Sequence, residues 1–419
     1  MNPAIATGVA SAFWIAGFLL VHTYALYPLS LPLLRRLFPM RKPVAASPAP
    51  GAPRNPKVSL IIAAYNEEKT LDEKIRNSFE LEYPRDDLEV LIGSDGSTDR
   101  TEAIAAQYAP DVKLFAFPQR SGKAAVLNRL VPAACGDILV FCDANTMLLK
   151  NVLQKMLPHF DNPEVGCVCG RLILHDAGEA ALSIGESIYW NLESEIKKHE
   201  GQLGTVIGAN GGLYAIRKEL YHEIPVDCKV MDDFFVTTHV LRAGKAVVYE
   251  PQAIGHEETS LDAYGEFHRK VRISQANFNL LPRYLPLLNP LRPMVAYGFL
   301  SHKLLRWLAP LLLIALLLAN IALAPFSPFF AGVLAAQAVF YAVAVLGYYG
   351  NGRTRRYKFL LIPYYFVSMN GALLLGLVKA LTARHDGGTW SRVERAMTRH
   401  DAGAAGYPPV RAQAGEYPN

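Results

Sequence analysis

Three stretches of this chain carry no charged side chain: Met1 to Leu34, Trp307 to Gly352 and Phe359 to Val378 contain no Asp, Glu, Lys or Arg. Charged residues make up 19% of the whole, so gaps of this length are not accidents of composition. A bilayer core needs ~20 apolar residues per spanning helix. The first stretch can therefore span once, from Val9 to about Tyr27. The second can span twice, turning at Ala324-Pro325-Phe326-Ser327-Pro328. The third is long enough to span or to re-enter.

The first stretch lacks the basic start and small-residue cleavage site of a signal peptide. Arg35, Arg36, Arg41 and Lys42 follow it at once. The excess of Lys and Arg on cytoplasmic flanks puts the N-terminus outside and the central block in the cytoplasm. Arg353, Arg355, Arg356 and Lys358, after the hairpin, agree. The expected location is the inner membrane, multi-pass. A further crossing would carry Lys379, Arg384, Arg392, Arg395 and Arg399 outside. Pro363 and the Ser368-Met369-Asn370-Gly371 stretch favour a broken, re-entrant element instead, with a cytoplasmic tail.

The remainder reads as six parts. Residues 1–42 are the anchor and its basic flank, and 43–56 are a Pro/Ala linker. Residues 57–260 form a globular domain and 261–305 are interfacial helices broken at Pro282, Pro286, Pro290 and Pro293. Residues 306–381 hold the C-terminal membrane segments, and 382–419 are a basic, flexible tail. Within the domain, apolar runs at 58–64, 88–93, 112–116 and 138–142 alternate with helical patterns at 68–80, 100–108 and 124–134. This alternation argues for a mainly parallel sheet with right-handed crossovers. Beyond residue 150 the pattern is looser, with strands near 165–174 and 246–249 and helices near 180–200 and 232–243.

The five cysteines, at 135, 142, 167, 169 and 228, show neither zinc spacing nor a disulfide framework. Cys167 and Cys169 share one face of a strand and read as buried thiols. Net charge is +5 and comes largely from the membrane flanks, so nucleic acid is not an expected partner.

Short acidic motifs end two of the apolar runs: Ser94-Asp95-Gly96-Ser97-Thr98-Asp99 and Cys142-Asp143-Ala144-Asn145. Glu193 with Glu195, and Met231-Asp232-Asp233-Phe234, lie further on. Open α/β sheets bind ligands outside the carboxyl ends of their strands. Asn66 and Glu67, in Ala64-Tyr65-Asn66-Glu67-Glu68, can hydrogen-bond a base or ribose, with helix capping as the alternative for Asn66. Asp99 suits a helix N-cap. Lys123, in Arg120-Ser121-Gly122-Lys123, can neutralise a diphosphate at a helix start. Asp143 and Asn145 project to one side and offer oxygens to a hard divalent cation, Mg2+ or Mn2+. Asp232 suits a helix N-terminus. Glu193 and Glu195 read as solvated residues or polar contacts beside an acceptor channel. His256 reads as a hydrogen-bonded loop residue.

In this order the motifs resemble those of family 2 glycosyltransferases of the GT-A fold, a Rossmann-like, mainly parallel α/β domain. The flanking membrane segments resemble the bacterial synthases of cellulose, hyaluronan and poly-N-acetylglucosamine. The resemblance implies that Ala64, Tyr65, Asn66 and Glu67 form the nucleotide loop and that Asp95 contacts uracil. It also implies that Gly208, Ala209 and Asn210 form an acceptor loop beside Asp232, and that Asp233 is the base. Arg272 matches the arginine of the Q-x-x-R-W motif and would pair with the diphosphate. Arg269 and Ile273 stand where that motif has Gln and Trp, and Asn145 stands where the metal motif has a second Asp.

The expected function is therefore a membrane-bound inverting transfer of sugar from a nucleotide donor, UDP-sugar first, to a growing polysaccharide or lipid-linked acceptor. Subunits of a secretion complex are candidate partners. The alternatives are a single-sugar transferase acting on a polyprenyl or glycolipid acceptor, and a silent nucleotide-sugar-binding regulator.

Overall fold

A computed structural model describes residues 2–40, 55–175, 182–258, 263–349 and 358–382. Most of the linker and all of the tail beyond Thr382 lie outside the described residues.

The N-terminal anchor is one helical rod. Helix α1 (Pro3–Val21) passes through a π-helical turn, His22–Leu26, into α2 (Tyr27–Leu37). The domain follows with β1 (Val58–Ala64), α3 (Leu71–Phe79), β2 (Leu88–Asp95), α4 (Thr101–Ala106), β3 (Val112–Phe117), α5 (Lys123–Ala133) and β4 (Ile138–Asp143). Then come β5 (Met147–Leu148), α6 (Val152–Met156), β6 (Val165–His175), α7 (Leu182–Gln202), β7 (Leu213–Arg217), α8 (Asp232–Arg242) and β8 (Ala246–Glu258). Helices α9 (Ala263–Asn279), α10 (Leu281–Tyr284) and α11 (Pro293–Gly298) lead to a second π-helical turn, Phe299–Leu304. Helices α12 (Leu305–Leu323), α13 (Pro328–Tyr349) and α14 (Lys358–Thr382) complete the described chain.

The eight strands form one sheet in the order β3-β2-β1-β4-β7-β6-β8-β5. Strands β1 to β4 pair in parallel, as apolar runs buried on both faces do. The second half is mixed, because β7 runs antiparallel to both β4 and β6. Register decides what meets at the sheet's edge. Ala64 of β1 pairs Ser94 of β2, and Ala63 pairs Asp143 of β4. Cys142 pairs Leu213, the first residue of β7. Four loops, after β1, β2 and β4 and before β7, therefore emerge side by side. Two apolar layers flank the sheet, one including Val126, Leu130 and Phe235 and the other including Leu71, Ile75 and Val152.

Four helices are long and apolar enough to cross a membrane: Pro3–Leu37, Pro293–Phe326, Pro328–Tyr349 and Leu361–Thr382. They expose large apolar side chains, among them Trp14, Phe18, Leu318, Val339 and Leu346, as surfaces meant for lipid do. The second rod begins at Pro293, inside the segment expected to be interfacial, because its proline stands in the first turn where no hydrogen bond is lost. The break expected at Pro363 and Ser368–Gly371 is absent, and α14 runs through both. Pro363 costs one intrahelical bond near the helix start. Tertiary packing holds the rest straight: Ser274 Oγ of α9 donates to the Leu373 carbonyl at 2.8 Å.

Candidate functional site

At the sheet edge, the loops after β1, β2 and β3 are stapled to one another. Asn66 takes a left-handed conformation, φ 54°, which Asn tolerates better than most residues. Its Oδ1 accepts the Thr98 N–H at 2.8 Å, and its own N–H donates to Ser97 Oγ at 3.2 Å. It is thus a loop staple, not a helix cap. The Glu67 N–H donates to Thr101 Oγ1 at 2.8 Å, and the Glu67 carboxylate accepts from Thr70 Oγ1 at 3.0 Å. Asp99 accepts the Thr101 N–H at 2.9 Å at the start of α4 and the Glu68 N–H at 3.1 Å. Its expected role at a helix start therefore has a second half, a link to the first loop.

Asp95 also holds a loop. It is 5% exposed, and its two oxygens accept from Ser121 N–H at 2.7 Å and Gly122 N–H at 2.8 Å. The carboxylate thereby anchors the 119–123 loop. Gly96, at φ 67°, permits the approach: a side chain there would meet Arg120 backbone nitrogen at 2.7 Å. The Arg120 guanidinium lies over the Tyr65 ring at 3.8 Å, joining the first and third loops. Ala64 is buried at the end of β1.

The anchored loop delivers Lys123 to the centre. Its Nζ lies 2.7 Å from Asp143 Oδ1 and 3.0 Å from Asp232 Oδ2. Burial works against this ammonium, but the two carboxylates outweigh it and hold its pKa above the usual lysine value. Asp143, Lys123 and Asp232, from β4, α5 and α8, thus converge, and Asp232 is more than a helix-end charge. Next to it Asp233 is 9% exposed. Burial first, and the Asp232 charge second, push its carboxyl up to about 6, against the lowering pull of Lys123 and Lys197.

A divalent cation suits this corner. Small cations are commonly held by one or two carboxylates completed by substrate phosphates and water. The Asp143 side chain remains 30% exposed, so its carboxylate is open to a cation beside the Lys123 contact. Among the described residues no group of three His, Cys, Asp or Glu forms an all-protein cage.

The loop Gly208-Ala209-Asn210 borders the same corner. A side chain on Gly211 would lie 3.2 Å from Asp233 Oδ2, so the loop backbone runs directly over that carboxylate. Arg272 is half-buried on α9. One turn earlier, Arg269 is paired with Glu266 at 2.6 Å, and Lys270 with the same Glu266 at 3.4 Å.

Two expectations are corrected. Glu193 is not solvated but 4% exposed, whereas Glu195 is exposed as expected. The partners of Glu193 sit more than a hundred residues away, which no local pattern signals. Burial opposes its ionisation, yet His302, Lys303 and Arg306 overcome this and hold its carboxyl well below the usual range. His256 lies on strand β8, not on a loop, and its Nδ1 is 2.6 Å from His175 Nε2. Cys167 and Cys169 are buried together as expected.

Known proteins resemble this chain in sequence and in fold. The family described as Glycosyl transferase family 2 matches residues 59–224. A beta-monoglucosyldiacylglycerol synthase from Nostoc sp. is 30% identical over 169 residues, 39% of this chain and 36% of that protein. An N-acetylglucosaminyltransferase from Rhizobium meliloti is 26% identical, over 62% of this chain and 65% of the relative. A poly-beta-1,6-N-acetyl-D-glucosamine synthase from Staphylococcus epidermidis is 24% identical, over 54% and 56%. The match spans about a third of the length of the first of these curated relatives. Among solved structures, a mannosyltransferase from Pyrobaculum calidifontis in complex with GDP-Man and Mn2+ superposes with TM-score 0.63 at 24% identity, covering 90% of this chain and 98% of that one. Residues 59–224 match Glycosyl transferase family 2, the domain has the GT-A fold, and membrane-length helices lie on either side.

Proposed function

We propose that this protein is a membrane-embedded, inverting glycosyltransferase. It takes a nucleotide sugar, a UDP-sugar in the first instance, from the cytoplasm and transfers the sugar to a polysaccharide or lipid-linked acceptor at the membrane face. The observation that carries this reading is the convergence of Asp143, Lys123 and Asp232 at the carboxyl edge of the sheet, with Asp233 buried beside them.

Each group has a task in a single displacement. Tyr65, Asn66 and Glu67 frame the nucleotide at the end of β1, with Asp95 shaping the loop beneath it. Lys123 supplies positive charge where the diphosphate leaves, and Arg272 is assigned to the same anion. Asp143 with Asn145 would hold Mg2+ or Mn2+, which when bound supplies further charge against the diphosphate. Asp233 accepts the proton of the acceptor hydroxyl as its oxygen bonds to the anomeric carbon and the carbon–diphosphate bond breaks. A carboxyl pushed up to about 6 suits that task near neutral pH, because it is ionised yet more basic than a free aspartate.

A single-sugar transfer to a lipid is the second reading. It is favoured by Ile273, which stands where a stacking Trp would hold a polymer end. Incubation of the full chain in nanodiscs with UDP-glucose, UDP-GlcNAc, UDP-galactose and GDP-mannose tests the first claim by donor-dependent release of nucleoside diphosphate. No release from any donor sinks the transferase reading. Sizing the labelled product separates polymer from single adduct.

A further inference from the structure

Helix α7 buries an unusual stripe. Glu193, Ile196, Lys197 and Glu200 are 4%, 1%, 5% and 0% exposed. Their spacing puts them on one face, and three of the four are ionisable. Taking an ion out of water costs several kcal/mol, so each requires a partner.

For the glutamates, the partners come from the two membrane rods. His302, fully buried, lies between both carboxylates, with Nε2 2.9 Å from Glu193 and Nδ1 2.7 Å from Glu200. Lys303 Nζ is 2.7 Å from Glu193 Oε1, and Arg306 Nη1 is 3.0 Å from its Oε2. Tyr27 Oη donates to Glu200 Oε1 at 2.5 Å. The two π-helical turns lock to each other at this level, with His22 Nε2 2.9 Å from Ser301 Oγ and Thr23 Oγ1 donating to the Ser301 carbonyl at 2.5 Å.

Lys197 faces the other way. Its hydrogen bond goes to Oδ1 of Asn210. Asn210 is itself tied on two further sides, its Nδ2 donating to the Gly170 carbonyl at 2.6 Å and its N–H to Cys169 Sγ at 3.2 Å. The next residue is Gly211, over which Asp233 Oδ2 lies. Helix α7 thus carries on one face both the glutamates that meet the membrane rods and the lysine that holds Asn210 beside Asp233.

We infer that Lys197 is a positioning residue for the acceptor side: carried on the same face of α7 as the glutamates that the membrane rods neutralise, it fixes Asn210 and so the 208–212 loop against Asp233. This rests on the glycosyl-transfer reading above. It makes acceptor geometry depend on α7, while the nucleotide loops do not use this helix.

Lys197→Met and Asn210→Ala, each in the full chain in nanodiscs, test it. A hydrogen bond to a charged group contributes about 1.5–3 kcal/mol, so kcat/KM for the acceptor falls roughly 10- to 100-fold. Donor KM changes less than about twofold, within the scatter of independent sites. Hydrogen exchange of amides 207–212 speeds up, and that of β1 and β2 does not. The double variant is no worse than Asn210→Ala, because that change already removes the Lys197 contact along with the bond to Gly170. A donor KM that rises with the acceptor's, unchanged exchange at 207–212, or additive effects would each overturn the assignment. Should Lys197→Met not fold, Asn210→Ala carries the same kinetic and exchange outcomes. Absence of any nucleotide-sugar turnover in the unmodified chain would defeat the transferase reading alone, and the exchange comparison still decides the positioning role.

Discussion

The side proposed to hold the nucleotide and the side proposed to face the acceptor are held by different means. On the nucleotide side the ties are short in sequence and join loops at adjacent strand ends, as from Asn66 to Thr98 and from Asp95 to Ser121. On the acceptor side the ties reach from Glu193 to Arg306 and from Tyr27 to Glu200. Those partners belong to the membrane rods. The first side is thus tied within the sheet's own loops, and the second rests on a helix whose buried glutamates the rods neutralise. The proposed reaction, from a soluble donor to an acceptor at the membrane, gives a reason to divide the construction this way.

Several changes would break or sharpen that contrast. The largest effect is expected for Asp233→Asn. General-base contributions run to about 10²–10⁴-fold, so sugar transfer falls by that order, while nucleotide affinity measured by calorimetry stays near that of the unmodified protein. Transfer that survives the change would remove Asp233 from the mechanism.

Glu193→Gln comes next, on stability. Removing one partner of a buried ion cluster costs roughly 3–5 kcal/mol. Urea unfolding in detergent, followed by tryptophan fluorescence, should register it, with faster exchange in α7 and in the second rod. A change at or below that of the exposed Glu195→Gln would deny the rods their structural part.

Asp95→Asn is a smaller, local lesion. Its amide nitrogen cannot accept the Ser121 or Gly122 N–H, and an unsatisfied buried donor costs about 1–3 kcal/mol. Donor KM should rise with little change in acceptor KM, the mirror image of Lys197→Met. If both constants move together, the two sides are not separable.

The smallest effect is on pH. With Asp233 at about 6, kcat/KM should fall as pH drops through that value, because the base becomes protonated. Asp232→Asn removes the like charge and should move this acid limb to lower pH. Stability runs the other way for the same group. Its folded pKa is raised above the ordinary 3.8, so its contribution is full below about pH 4 and is lost as pH rises through about 6. An acid limb that does not shift in Asp232→Asn would point to another base.

Much of the nucleotide side was legible from residues alone. Val58–Ala64, Leu88–Asp95 and Ile138–Asp143 announce themselves as buried runs, and the motifs at their ends are contiguous in sequence. What each carboxylate does there was less legible. Asp95 reads as a ligand alone until it is seen to hold the Ser121 and Gly122 amides as well. The short β5, the length of β8 and the unbroken α14 were not readable either, since a two-residue strand has no period and Pro363 is a breaker only where packing permits.

By itself the sequence determined that charge-free segments flank an α/β domain and that acids cap its strands, because hydrophobic periodicity and charge gaps are local properties. Only the tertiary structure decided that Lys123 bridges Asp143 and Asp232 and that Glu193 is buried. The same holds for the joins from α7 to the membrane rods and to Asn210. Those facts depend on which distant groups can neutralise a charge once water is removed, and nothing within a few residues of Glu193 or Lys197 specifies the partner.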